Sequence, residues 1–203
     1  MEIENFEDNG DDGEVWFGED VQKRTMNFLV NKYPSLDSYQ PYVLDVGTGN
    51  GAFLFKLAKK GFKLLKGIDY SENSIKLASK IKAAASEEKD FECIELEYQN
   101  AFDLVDGGKF DIIHDKGTFD VIYMNVDLDN MLYAKGISHR LKKDGLFIIT
   151  SCNCTSSELD EIFSSVFEKV DEIKGYKSFT FGGVTGYVVS TNVYRLCQRM
   201  IIF

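Results

Sequence analysis

The chain has 203 residues, 44% of them hydrophobic, which is enough for one well-buried domain and too little for two typical ones. Its formal net charge of −10 opposes sustained binding to a nucleic-acid backbone and suits a basic protein partner. The longest apolar runs, such as residues 146–149, are far too short to cross a bilayer, and the acidic N-terminus resembles neither a signal peptide nor a transit peptide. A soluble, cytoplasmic, monomeric protein with no membrane contact and no direct nucleic-acid partner is expected.

Residues 1–13 carry Glu2, Glu4, Glu7, Asp8, Asp11 and Asp12 and are expected to be a disordered acidic tail, leaving residues 14–203 as a single domain. Residues 19–33 have an imperfect apolar stripe and predict a helix that ends at Tyr33-Pro34-Ser35. A first strand over 42–46 leads through a glycine-rich turn into a helix over 52–60. A second strand ends at Asp69, and Ser71 is placed to cap a helix from Glu72 to about Ser86. Alternation over 91–96 predicts a third strand, and residues 110–115 a fourth. A helix follows over about 128–141, broken by Lys143-Asp144-Gly145, and residues 145–151 form a fifth strand. The next helix spans 156–167, with Thr155 or Ser156 as cap and Glu158 as a capping-box partner. Residues 167–173 and 187–196 are expected to be a closing antiparallel pair around the turn Gly182-Gly183. Strands alternating with helices specify a doubly wound, largely parallel α/β sheet, which binds its ligand across the carboxyl ends of the strands.

The turn Gly47-Thr48-Gly49-Asn50-Gly51 carries the first chemical information. Glycine admits positive φ and lets bare backbone approach a ligand. Gly47, Gly49 and Ala52 fit the dinucleotide pattern G-x-G-x-x-G/A, while Gly47, Gly49 and Gly51 with Asp45 fit the acid-x-G-x-G-x-G loop of S-adenosylmethionine (AdoMet) enzymes. Asp45 favours the second: a carboxylate there repels a pyrophosphate and attracts the cationic methionine end of AdoMet. Asp69, about 20 residues beyond the loop, has the spacing of a carboxylate that accepts both ribose hydroxyls.

The segment Asp115-Lys116-Gly117-Thr118-Phe119-Asp120 follows the fourth strand and is expected to neighbour the glycine loop on the same sheet edge. Asp115 and Asp120 are candidates to accept hydrogen bonds from an incoming amine, and Phe119 and Tyr123 to wall a lysine channel. Taken in isolation, the hexapeptide is equally a polar turn. His114 lies inside an apolar run and is expected to be a hydrogen-bonded core histidine. Cys152 and Cys154 are expected to be buried structural thiols, because His114 and His139 are too remote in sequence to complete a metal site.

Five segments occur in order: Glu14-Val15-Trp16-Phe17-Gly18-Glu19, residues 44–51, Gly67-Ile68-Asp69-Tyr70-Ser71, residues 115–120, and Thr150-Ser151-Cys152-Asn153. Together they resemble the seven-β-strand AdoMet-dependent protein-lysine methyltransferases, in particular the branch acting on translation elongation factor one-alpha. The resemblance runs from about Glu14 to about Gly186. It implies a class I, Rossmann-like fold with strand order 3-2-1-4-5-7-6 and the last strand antiparallel. It places AdoMet on Gly47, Thr48, Gly49 and Gly51, with Asp69 at the ribose, Tyr70 among the cofactor contacts, Asn100 and Ala101 at the adenine, and Trp16 and Asp45 toward the methionine end. Asp115 lies at the methyl-transfer site in this reading, joined by Phe119 and Asp120, and no metal takes part. Many members of the class have an acidic residue where this chain has Asn100. A small-molecule methyltransferase and a non-catalytic AdoMet-binding module are the alternative readings.

Overall fold

Alternation in the strands sets up two buried faces. On β1 (Tyr42–Val46), Val43 packs with one set of helices while Leu44 and Val46 pack with the other. The same division separates Ile112 from Ile113 on β4 (Phe110–Lys116) and Ile148 from Phe147 on β5 (Leu141–Ser151). Successive side chains on a strand point to opposite sides, so strands apolar on both faces must be covered on both. One face takes α2 (Glu19–Lys32), α3 (Ala52–Ala58) and α4 (Glu72–Ala84). The other takes α5 (Thr118–Met124), α6 (Asn130–Arg140) and α7 (Ser156–Phe163).

The remaining strands of the sheet are β2 (Leu64–Asp69), β3 (Ile94–Tyr98), β6 (Phe167–Glu172) and β9 (Ser190–Leu196). This computed structural model describes residues 2–13, 16–85, 87–104, 107–174, 178–181 and 184–197. The seven-stranded sheet has the order β3-β2-β1-β4-β5-β9-β6. With β9 as the seventh sheet strand, this is the expected 3-2-1-4-5-7-6. The pairs from β3 through β5 are parallel, while β9 runs antiparallel to both β5 and β6. Chain order reverses beside β1: β2 lies on one side of it and β4 on the other, opening a crevice at their carboxyl ends.

Four departures from the sequence expectation have local causes. Residues 2–9, expected to be disordered, form helix α1 (Glu2–Asn9). Ile3 and Phe6, three apart, fall on one helix face and pack against the core under α3 and α4, and Glu7 pairs with Lys80. Residues 89–93 make a 3-10 turn, so β3 begins at Ile94; Phe91 is thereby buried against Phe55, ring centroids 4.8 Å apart. The polar turn after the fourth strand is instead the start of α5. Finally, β7 (Ser178–Phe181) and β8 (Val184–Tyr187) form a separate two-stranded hairpin between β6 and β9. The turn at Gly182-Gly183, like Glu14, Val15 and residues 198–203, lies outside the described residues.

Candidate functional site

The glycine loop is stitched to the next strand before it meets any ligand. Gly47 and Thr48 donate their amides to the carbonyl of Ile68 at 2.8 and 2.9 Å. Gly47 has φ 69°, and a Cβ there would lie 1.8 Å from Oγ1 of Thr118, whose hydroxyl donates to the Val46 carbonyl at 2.8 Å. The loop therefore packs directly on the β4–α5 turn. At Gly49, φ is 56° and an added Cβ would meet nothing within 4 Å, so its backbone faces open space. That space is a cavity of about 580 Å³ at the carboxyl ends of β1, β2 and β4.

Asp69 lines the cavity from the end of β2. Its two carboxylate oxygens accept the amides of Gly49 at 2.9 Å and Ser71 at 2.8 Å, which fixes the side chain in place. Each carboxylate oxygen has a second lone pair available for a ligand hydroxyl. Ser71 caps α4 through the amide of Ser74, as its position suggested. Tyr70, 67% exposed, lines the same cavity with Asn100 and Ala101. The Asn100 side-chain oxygen Oδ1 accepts the amide of Phe102 at 3.0 Å, so the residue is also the cap of a 3-10 turn. Gly51, Thr48 and Asp45 complete the expected set: Thr48 and Asp45 line the cavity, and Gly51 starts α3 with φ 78°.

Asp45 has protein partners. It accepts hydrogen bonds from Nδ1 of His114 at 2.7 Å and from the Thr48 hydroxyl at 2.8 Å. His114 is fully buried and stacks on Phe53 with ring centroids 3.9 Å apart, as expected of a core histidine. The Asp45 carboxylate thus couples loop, strand and core while still reaching the cavity wall.

Trp16 closes one side of the opening and is 56% exposed. Its carbonyl accepts Nζ of Lys116 at 3.1 Å, and Lys116 also lies 5.9 Å from the centroid of the Phe17 ring. Gly117 permits this packing, since a Cβ would come within 3.1 Å of Trp16 and 3.2 Å of Phe17. Burial pushes the Lys116 ammonium below its ordinary range, against the pull of the Asp45 and Asp115 carboxylates. The N-terminal segment also reaches the site: Glu2 and Gly13 line the cavity, and Asn50 donates to the Asp12 carbonyl at 2.8 Å.

The three residues expected to handle the transfer lie behind the cavity wall. Asp115 is fully buried; it accepts the amides of Thr118 at 3.0 Å and Phe119 at 3.1 Å and the hydroxyl of Tyr133. Burial pushes its carboxyl up to about 7, opposed by those donors. Phe119 is fully buried in an aromatic cluster, 5.0 Å from Phe163 and 5.8 Å from Tyr133 between ring centroids. Asp120, also buried, accepts the Ser151 hydroxyl and the amides of Cys152 at 3.1 Å and Asn153 at 3.3 Å. In this structure none of the three lines the cavity: Asp115 caps α5, Phe119 anchors it in the core, and Asp120 ties it to the loop after β5. The physical reason is the helix, whose period turns Thr118, Val121 and Ile122 toward the cavity and Phe119 and Asp120 away. The sequence reading missed Lys116, Thr118, Val121, Ile122, Asn125 and Leu128 on this wall. The spacing 118, 121, 122, 125 is the helical signal that would have found four of them.

Cys154 is buried as expected, whereas Cys152 is exposed. Among the described residues no group of metal-ligating side chains is assembled, and no helix is long and apolar enough to cross a membrane.

Residues 40–198 match the family model described as a methyltransferase domain. The chain is 40% identical over 198 residues to EEF1A lysine methyltransferase 2 of Homo sapiens, covering 96% of this chain and 80% of that protein. It is 41% identical over 203 residues to protein-lysine N-methyltransferase EFM4 of Saccharomyces cerevisiae, covering 93% of this chain and 86% of that protein. Among solved structures it resembles the CcbJ methyltransferase from Streptomyces caelestis, with TM-score 0.70 and 12% identity over 97% of this chain and 96% of that one. It also resembles the glycopeptide N-methyltransferase MtfA complexed with (S)-adenosyl-L-methionine, with TM-score 0.66 and 10% identity over 90% and 96% of the two chains. At these identities the structural likeness concerns the fold.

Proposed function

Because the chain belongs to the methyltransferase family that contains EEF1A lysine methyltransferase 2 and EFM4, we propose that it transfers a methyl group from AdoMet to a lysine side chain of the elongation factor EEF1A. The observation that carries this reading is identity of about 40% along nearly the whole chain to proteins named for that activity. The cavity fits the cofactor on its own terms: Gly49 leaves backbone room beside it, and Asp69 presents fixed carboxylate oxygens. In this assignment Asp69 accepts the ribose hydroxyls, Tyr70, Asn100 and Ala101 flank the adenine, and Gly47, Thr48 and Asp45 face the methionine end. Trp16 covers that end beside Lys116.

AdoMet supplies an electrophilic methyl group on a sulfonium. The lysine amine must arrive neutral, against a solution pKa of about 10.4. Apolar surface at Trp16, Val121 and Ile122 lines the cavity and favours the neutral amine once the bound substrate has displaced water from it. Alignment and desolvation supply most of the rate, and the amine's proton passes to water at the cavity mouth. Asp115 acts through α5 as a positioning residue. The chain works as one methyltransferase domain to which α1 is packed, a monomer in the cytoplasm.

The test is to incubate the protein with isotopically labelled AdoMet and purified folded EEF1A, then map the label by mass spectrometry. One defined lysine is expected to be labelled, and its replacement by arginine to abolish labelling, because arginine stays protonated. If EEF1A is not labelled while another protein of a cell extract is, the substrate assignment fails.

A further inference from the structure

The segment joining α5 to α6 exposes apolar side chains at the mouth of the cavity. Val126 is 97% exposed, Met124 70% and Val121 47%, and Leu128 is also exposed. Val121 and Leu128 line the cavity as well, so the patch continues into the site. The turn is tied by hydrogen bonds. Asn125 accepts the Asp127 amide on its side chain at 3.1 Å and the Leu128 amide on its carbonyl at 3.0 Å. Asp129 accepts the amides of Met131 and Leu132 at 2.8 and 3.2 Å, starting α6. The Met124 sulfur accepts a hydrogen bond from Asn153 at 3.1 Å, tying the patch to the loop after β5. A fixed turn that holds valine and methionine in water is a cost without a partner, and a contiguous apolar patch beside a cavity marks an interaction surface.

Charge selects among partners. Asp127 sits between Val126 and Leu128, exposed, on a chain of net charge −10. A second copy of the same acidic chain would bring like charges together, whereas a basic surface would be attracted. We propose that residues Val121 to Leu128 are the docking surface for the folded, basic protein substrate, gripping an apolar spot beside the target lysine while Asp127 meets a basic neighbour. This inference rests on the proposed lysine methylation of EEF1A and adds where that substrate is held.

The experiment compares wild type with Val126→Lys and Asp127→Lys, neither of which lines the cavity. Methylation is measured on folded EEF1A and on a short peptide containing the same lysine, alongside AdoMet titration and solution mass. In both variants KM for the folded factor is expected to rise about tenfold or more. The kcat, the AdoMet affinity and the slow rate on the peptide are expected to stay within about twofold. Unchanged KM in both variants, with wild type active on the factor, overturns the docking surface and leaves the methyltransferase reading in place. A wild-type dimer that Val126→Lys converts to monomer also overturns it, because the occupant is then a second copy. No labelling of the factor by wild type overturns the substrate reading and the docking surface together.

Discussion

At Asp69 a single carboxylate holds Gly49 and Ser71 by their amides while facing the cavity. Asp69→Ala removes the ribose acceptor and releases the loop, so AdoMet affinity measured by calorimetry should fall about 10- to 100-fold. Gly47 is constrained by space as well as by φ, since the missing Cβ would overlap Thr118. Gly47→Ala should destabilise the fold by roughly 2–4 kcal/mol in denaturant titration. The double variant with Thr118→Ala should recover only the overlap part, leaving the positive-φ strain. Asp115 gives a pH signature. Its carboxyl keeps its proton to about pH 7 in the folded protein but only to the ordinary value of 3.8 when unfolded. The folded state binds the extra proton between those values, so this group makes stability fall as pH rises from about 4 to about 7. Asp115→Asn should flatten that part of the stability curve, measured as Tm against pH. An unchanged slope would mean that the carboxyl is ionised in the folded state throughout.

Two helices were hidden by their composition. In α5 the cap for the first amides comes from Asp115, inside the preceding strand, so no capping residue sits at the expected position. In α1 the acidic residues mask the pair Ile3 and Phe6 that packs against the core. Phe6→Ala should lower stability by about 1 kcal/mol in thermal or denaturant melts, as expected for a half-buried aromatic. Deleting residues 2–12 should weaken AdoMet binding several-fold, because Asp12 anchors Asn50 of the glycine loop and Glu2 lines the cavity. AdoMet binding unaffected by that deletion would confine α1 to packing. By contrast α7 was legible in full at its start: Thr155 and Glu158 form the capping box that their spacing announced.

For the whole molecule the dominant electrostatic fact is the charge of −10. If opposite charge steers a basic substrate to the cavity mouth, methylation at limiting substrate should slow as salt rises. The Debye length near 8 Å at physiological ionic strength leaves that attraction effective only close to contact. Rates on the short peptide should depend less on salt, because less of the opposing surface is present. Equal salt dependence for peptide and folded factor would remove long-range steering from the account.

The glycine loop, the placement of Asp69 at a strand end and the alternation of strands with helices were legible from local rules, whereas the order of the sheet was implied only by the resemblance to a known family. Short apolar runs mark β1, β2 and β4, glycines at Gly47, Gly49 and Gly51 mark the turn, and βα alternation implies parallel pairing. Which side of each element faces the cavity was decided only by tertiary structure. Asp115, Phe119 and Asp120 carry chemistry-bearing or aromatic side chains at the right sheet edge, yet all three are buried: Asp115 at the end of β4 caps the helix that begins at Thr118, and that helix turns Phe119 and Asp120 inward. Burial, rotation about a helix axis and the partners Tyr133 and Ser151, remote in sequence, set where these side chains lie. Such contacts arise only once the chain has folded, so a motif marks where a site will form before it reveals which of its side chains will touch the ligand.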